Sequence, residues 1–210
     1  MYGLHDNKTS IIWDELSKCL NQPPEIMFDM GPGYINSEAW GCKHKFPDCK
    51  IIGVEPNDSR YDSLIESYPG IFLKTAIGKN CDSLTGFHGI AQYPDTDNWS
   101  DFRISITEKE QTEYVEREVP CTTIDTLYEE YGPAKHMILW ADIEGAELDM
   151  LRGAEDTLRS GCIDAIYIEI LTPNTLNIPS LNEVKGYLSK FNYDLFKTIT
   201  SCDYIFRLEN

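Results

Sequence analysis

The stretch Glu25-Ile26-Met27-Phe28-Asp29-Met30-Gly31-Pro32-Gly33-Tyr34-Ile35-Asn36-Ser37, "EIMFDMGPGYINS", decides the fold class. Its apolar run "IMFDM" (26–30) reads as a buried strand with an acid near its end. Gly31 and Gly33 permit a tight turn and a close approach of backbone to a ligand. Asn36 or Ser37 then offers a side-chain oxygen to cap a helix over 36–46. A plain turn between strand and helix would account for the glycines alone. The ligand reading gains from Glu55, which closes the next apolar run, "KIIGVE" (50–55), where a carboxylate can accept bonds from both ribose hydroxyls.

Working outward, strands and helices alternate. Helices are predicted over 9–21, 57–68, 122–132, 145–161 and 180–191, from apolar residues at helical spacing and polar cap residues. Strands are predicted at "IFLKTAI" (71–77), "HMILWAD" (136–142) and "DAIYIEIL" (164–171). The segments "YDLFKTI" and "DYIFRL" flank a Thr-Ser-Cys turn and read as a C-terminal antiparallel hairpin. Residues 80–119 differ, with short β-like pieces around the polar loop "YPDTDNWSD". The expectation is an α/β, doubly wound, mostly parallel, Rossmann-like sheet in one domain over 1–210, with a hairpin excursion at about 80–119.

Composition limits the partners. With 210 residues and 41% hydrophobic content, the chain can build a real core. Its formal net charge of −17 repels a polyanion, so no nucleic-acid partner is expected. No apolar run approaches the roughly 20 residues that span a bilayer. The N-terminal "MYGLHDNKTS" lacks the features of a secretory signal, and the seven scattered cysteines read as reduced thiols. A cytoplasmic location is the corresponding expectation.

Ligands of doubly wound folds bind at the carboxyl ends of the strands. There the sequence places Asp29, Glu55, Asp142, Glu144 and Glu169. Carboxylates are costly to bury, so acids along one sheet edge suggest a ligand with hydroxyls, amines or positive charge. Each acid also has a structural reading: Glu144 suits the start of the following helix, and Glu169 suits a satisfied sheet-edge acid.

The second half narrows the class. "VPCTTIDTLYEEYG" followed by "MILWADIEGAELDMLRGAEDTLRSGCIDAIYIEI" resembles the FkbM family of S-adenosylmethionine-dependent methyltransferases. The resemblance lies in Asp142-Ile143-Glu144-Gly145-Ala146-Glu147 and Leu151-Arg152-Gly153-Ala154. Upstream, "FDMGPG", "GVEPN" and "KTAIGK" resemble the family's first three cofactor motifs in order and spacing, so the likeness covers about residues 26–170. Two positions depart from the pattern. Pro32, Gly33 and Ile35 stand in the Ala, Asn and last Gly places of the first motif, and Trp140 stands where a lysine often precedes the acid.

The resemblance implies roles residue by residue. Asp29 would orient the glycine loop near the methionine moiety, and Gly31 and Gly33 would let backbone pass close to the cofactor. Glu55 would hold the ribose hydroxyls, and Asn57 in the same motif is a further cofactor-binding candidate. Ala76 and Ile77 would lie by the adenine, and Asp142 by the sulfonium and the acceptor. The expected acceptor is a small molecule or glycan, methylated on a hydroxyl of a sugar or natural product.

A hydroxyl acceptor needs a general base, or a metal that lowers its pKa. Asp142, Glu144 and Glu169 are the candidates, and a divalent metal shared among them is the less favoured route. Cys42, His44 and Cys49 match no closed zinc site, and Gly78-Lys79-Asn80 lacks the rest of a phosphate loop. Trp99 could stack on a sugar. A nicotinamide oxidoreductase and a non-catalytic cofactor-binding module are the rival readings.

Overall fold

The computed structural model describes residues 7–32, 37–80, 83–89, 102–103, 114–171 and 178–209. Gly33, Ile35, Asn36 and Trp99, singled out from the sequence, lie outside the described residues. The elements are α1 (Asn7–Leu16), β1 (Ile26–Met30), α2 (Ser37–Lys45), β2 (Lys50–Val54), α3 (Asp58–Leu64), β3 (Ile71–Leu73), β4 (Ala76–Ile77), β5 (Ser83–Gly89), β6 (Phe102–Arg103), β7 (Tyr114–Thr122), α4 (Ile124–Tyr131), β8 (Met137–Ala141), α5 (Glu147–Arg152), α6 (Glu155–Ser160), β9 (Ile163–Glu169), α7 (Leu181–Leu188), β10 (Tyr193–Thr198) and β11 (Asp203–Leu208).

A seven-stranded sheet runs β10-β11-β9-β8-β1-β2-β3. The ladders β3–β2–β1–β8–β9 are parallel, and β11 enters antiparallel between β9 and β10. The C-terminal hairpin and the doubly wound class are therefore as the sequence predicts. Strand order reverses between β1 and β8, which makes their carboxyl ends the switch point of the sheet.

Period-two alternation divides the core. Phe28, Leu139, Ile166 and Phe206 face one side, against Ile124, Leu127, Met150, Leu158 and Val184 of the later helices. Met27, Ile138, Trp140, Tyr167 and Ile205 face the other, against Ile12, Trp13 and Leu16 of α1 and Ala39 and Cys42 of α2. Each large apolar side chain buried this way contributes about 1.5–3 kcal/mol. Trp140 is part of this second layer. It stacks on Trp13 with centroids 5.4 Å apart and meets Tyr167 at 4.2 Å.

Several expectations are corrected. The run 71–77 is two strands: β4 leaves the main sheet after Lys74-Thr75 and pairs in parallel with β7, Ala76 opposite Cys121 and Ile77 opposite Thr122. It thereby joins a four-stranded sheet, β4-β7-β5-β6, built from the 80–119 excursion, and β7 continues past 119 to Thr122. The predicted helix 145–161 is two helices. Gly153 gives its carbonyl to Asp125 N–H at 2.9 Å, and a Cβ there would lie 2.1 Å from the Gly78 carbonyl oxygen. The close approach to residue 78 thus interrupts the helix, and Asp125 accepts from Thr157 N–H (2.8 Å) and Asp156 N–H (3.2 Å) at the start of α6.

The other helices are shorter than predicted, and 180–191 ends in a 3-10 turn over Ser189–Phe191. A reciprocal Ser180–Glu183 cap starts α7. Finally, the thiols are not all reduced. Cys19, Cys42, Cys49, Cys162 and Cys202 are free, but Cys121 is disulfide-bonded, against the expectation of reduced thiols throughout. No helix among the described residues is long and apolar enough to cross a membrane.

Candidate active site

At the switch point the chain leaves β1 through Gly31 and β8 through Asp142, and the two exits are joined by backbone. Asp142 N–H donates to Met30 O at 3.0 Å, and Gly31 N–H to Val54 O at 3.0 Å. Gly31 has φ +76°, and a Cβ there would lie 2.1 Å from the Asp142 carbonyl oxygen. Only glycine satisfies both the left-handed backbone and this approach.

The exits open onto a cleft of about 460 Å³. Its apolar wall includes Val54, Pro56, Ala76, Ile77 and Leu84, and its polar groups are Glu55, Arg60, Asp142 and Glu144. The sequence-predicted Gly31, Glu55, Ala76, Ile77, Asp142 and Glu144 therefore meet around one space. Asp29, Asn57 and Glu169 stand behind or beside it.

Glu55 follows β2 and is 3% exposed. Its carboxylate accepts the Asn57 N–H at 2.7 Å, and the Arg60 guanidinium lies 3.7 Å away. Asn57 Oδ1 accepts the Arg60 N–H at 3.1 Å, so the Asn57 side chain opens α3 and fixes the loop that presents Glu55.

Asp29 lies inside β1 rather than closing it, with register partners Gly53 and Trp140. Period two turns its side chain to the layer of α1 and α2, away from the cleft wall formed after Met30. There the Tyr68 hydroxyl donates to Asp29 Oδ2 at 2.6 Å, while Oδ1 has no partner among the described residues. Burial and the nearby charge of Glu38 push the Asp29 carboxyl well above the usual range, and the Tyr68 hydrogen bond only partly opposes them.

Asp142 follows β8. Burial pushes its carboxyl well above the carboxylate range, followed by the charge and hydrogen bond of Glu169 and the charge of Glu144; Lys8 pulls the other way. Glu144 and Gly145 both have positive φ, +56° and +106°. For Glu144 this is a strained conformation of the kind that functional loops retain. Glu147 holds the turn. It is 1% exposed, accepts the Gly145 N–H at 3.0 Å, and is pushed by burial to a pKa of about 7. Among the described residues, no group of three or more His, Cys, Asp or Glu could hold a metal ion.

The profile of the methyltransferase FkbM domain matches residues 35–195, from shortly after β1 into β10. The chain belongs to the FkbM methyltransferase family. No curated protein matches it. Among solved structures, human N-acetylserotonin methyltransferase in complex with SAM aligns with 96% of this FkbM chain at 12% identity and a TM-score of 0.45. The chain spans 52% of that protein's length. Precorrin-6y C5,15-methyltransferase from Geobacter metallireducens GS-15 aligns over 94% of the chain and 84% of its own, at 12% identity and a TM-score of 0.49.

Several residues around this FkbM site escape sequence reading. Lys8 of α1 bonds Glu169 at 3.0 Å and Asp203 at 2.8 Å. Tyr68, Arg60 and the buried Glu38 likewise reach the site from helices or the turns after them. Their signal was weak, because long-range polar pairs have no spacing. Parity was the one usable clue: Asp29 shares the period-two face of Met27, an apolar neighbour of the helix layer.

Proposed function

We propose that this chain transfers a methyl group from S-adenosylmethionine to a hydroxyl of a small-molecule or sugar-like acceptor, with Asp142 as general base. The observation that carries the reading is the cleft itself. One carboxylate, Glu55, lines it beside an apolar wall after β2, and a second, Asp142, lines it after β8, on the other side of β1.

The residues suit this donor. Glu55 is oriented by a backbone N–H and suits the ribose diol. Ala76 and Ile77 supply a flat apolar surface of the kind an adenine packs on. The acids Asp142 and Glu144 suit the positive end of the molecule. Bound S-adenosylmethionine supplies a methyl group already activated by its positive sulfur.

The chain then has to align the acceptor, exclude water and take up a proton. Asp142 meets the last need. A base works best when its pKa lies near the working pH, and burial with Glu169 alongside moves this carboxyl in that direction. Asp29 stands as a buried support of the β1 exit through Tyr68, and Glu147 as the support of the turn after Asp142.

Calorimetric titration tests the reading. S-adenosylmethionine and S-adenosylhomocysteine should bind, and NAD should not. Glu55→Ala should weaken S-adenosylmethionine binding by about 1.5–3 kcal/mol, the scale of a hydrogen bond to a charged group. Binding of NAD in its place would favour an oxidoreductase, and unchanged affinity in Glu55→Ala would remove Glu55 from the site. Binding without turnover on a broad panel of hydroxyl acceptors would favour a non-catalytic module.

A further inference from the structure

Three acids stand side by side where β8, β9 and β11 meet. Glu169 and Asp203 are direct partners across the antiparallel β9–β11 ladder. Asp142 comes just after Ala141, which pairs with Ile168. Lys8, in the first turn of α1, places its ammonium 2.8 Å from Asp203 Oδ1 and 3.0 Å from Glu169 Oε1.

The two contacts differ in kind. Asp203 is 2% exposed and further held by the Tyr167 hydroxyl at 2.5 Å and by the Thr200 hydroxyl. Burial pushes its carboxyl up, but hydrogen bonds from Lys8, Thr200 and Tyr167 outweigh this and hold it below the usual carboxylate range. Asp203 is therefore a fixed anion and an anchor. Glu169 is more open, with an 18% exposed side chain, and it follows Ile168 as Asp142 follows Ala141, so the two acids leave neighbouring parallel strands side by side.

We propose that Lys8 is a positioning residue of the active site: anchored on Asp203, it fixes Glu169, and Glu169 holds the Asp142 carboxyl at the rim of the cleft. The inference rests on Asp142 being the base of the proposed function. The physical reason is charge. Two neighbouring carboxylates repel unless a proton or a cation stands with them. Among the described residues, the charged and titratable groups around Asp142 are Glu144 on its own loop, Tyr167 and Glu169 on β9, Asp203 on β11 and Lys8 on α1. Lys8 is the cation of that set. Without it, Glu169 is drawn toward solvent and the Asp142 carboxyl loses both its orientation and the charge that lowers its pKa.

Lys8 does not line the cleft, so its effect on the cofactor and on the base can be separated. The test follows the Asp142 carboxyl by carbon-13 NMR as pH is varied, in the full chain, with Asp142→Asn giving the assignment. Lys8→Met should move the Asp142 titration upward by about one pH unit, and Lys8→Arg should return it. Calorimetry should show S-adenosylmethionine affinity in Lys8→Met within about threefold of the wild type, less than 1 kcal/mol.

An unmoved titration in Lys8→Met overturns the proposal, as does a shift that Lys8→Arg fails to restore. A larger loss of cofactor affinity also overturns it, because Lys8 would then act on the cleft directly. Should Lys8→Met not fold, Lys8→Gln takes its place; failure of both makes the lysine a folding element and ends the positioning role. If the wild type does not bind S-adenosylmethionine at all, the proposed function falls, while the titration still reports whether Lys8 governs Asp142.

Discussion

Replacing Glu147 by Gln should change the pH dependence of stability by a predictable amount. Glu147 is 1% exposed, and its folded pKa is about 7 against 4.5 for an unperturbed glutamate. The cause is burial, which the N–H groups of Gly145, Glu147 and Ile143 only partly offset. Because the folded pKa is raised, the native state holds the proton more tightly than the unfolded chain. The stability from this group is fully present below pH 4.5 and is lost as pH rises through about 7. Between pH 5 and pH 8 the loss is on the order of 2–3 kcal/mol.

Glutamine keeps an oxygen for the Gly145 N–H and cannot ionise, so Glu147→Gln should lack this loss. Urea denaturation of both proteins at pH 5 and pH 8 gives the double difference, in which other titrating groups cancel. A double difference on the order of 2–3 kcal/mol in favour of the variant at pH 8 is expected, on the same linkage. A value near zero would falsify the claim that Glu147 is buried with its proton, and with it the account of how the turn after Asp142 is held.

Two further outcomes are expected. Gly31→Ala should cost about 1–2 kcal/mol for the left-handed backbone, and a further ~1–3 for the overlap with the Asp142 carbonyl, measured by urea denaturation. A variant as stable as the wild type would mean that the β1 and β8 exits can separate freely. Asp142→Asn, assayed with S-adenosylmethionine saturating, should lower kcat about 10²–10⁴-fold once an acceptor is in hand. Normal turnover would move the base to Glu144 or Glu169.

The strands were legible because a parallel sheet covered on both faces needs continuous apolar runs, and "IMFDM", "KIIGV" and "MILWA" are such runs. Glu55 and Asp142 were legible because each follows a run at a carboxyl end. Asp29 was placed at the edge by the same rule, but it sits one residue inside the strand, where parity turns it to Tyr68. The break at Gly153 was not legible, since its cause is the distant Gly78 carbonyl. The departure of β4 was hidden because "IFLKTAI" has no glycine or proline at the bend. The Lys8 cluster was beyond reach for a simpler reason: its members lie at opposite ends of the chain, and no local pattern joins them.

The small sheet has a consequence for how such a protein can diversify. β4 and β7 are adjacent and pair directly, and Gly78 N–H continues the ladder to Thr122 O. Everything between them departs from and returns to one doorway. A segment tethered in that way can be lengthened, shortened or exchanged at little entropic cost to the frame, because closure depends only weakly on loop length. The Ala76–Ile77 wall and the β1–β8 junction stay in place whatever is hung there. New recognition surfaces can thus be tried by insertion at one point, leaving the chemistry of the strand ends to be inherited unchanged.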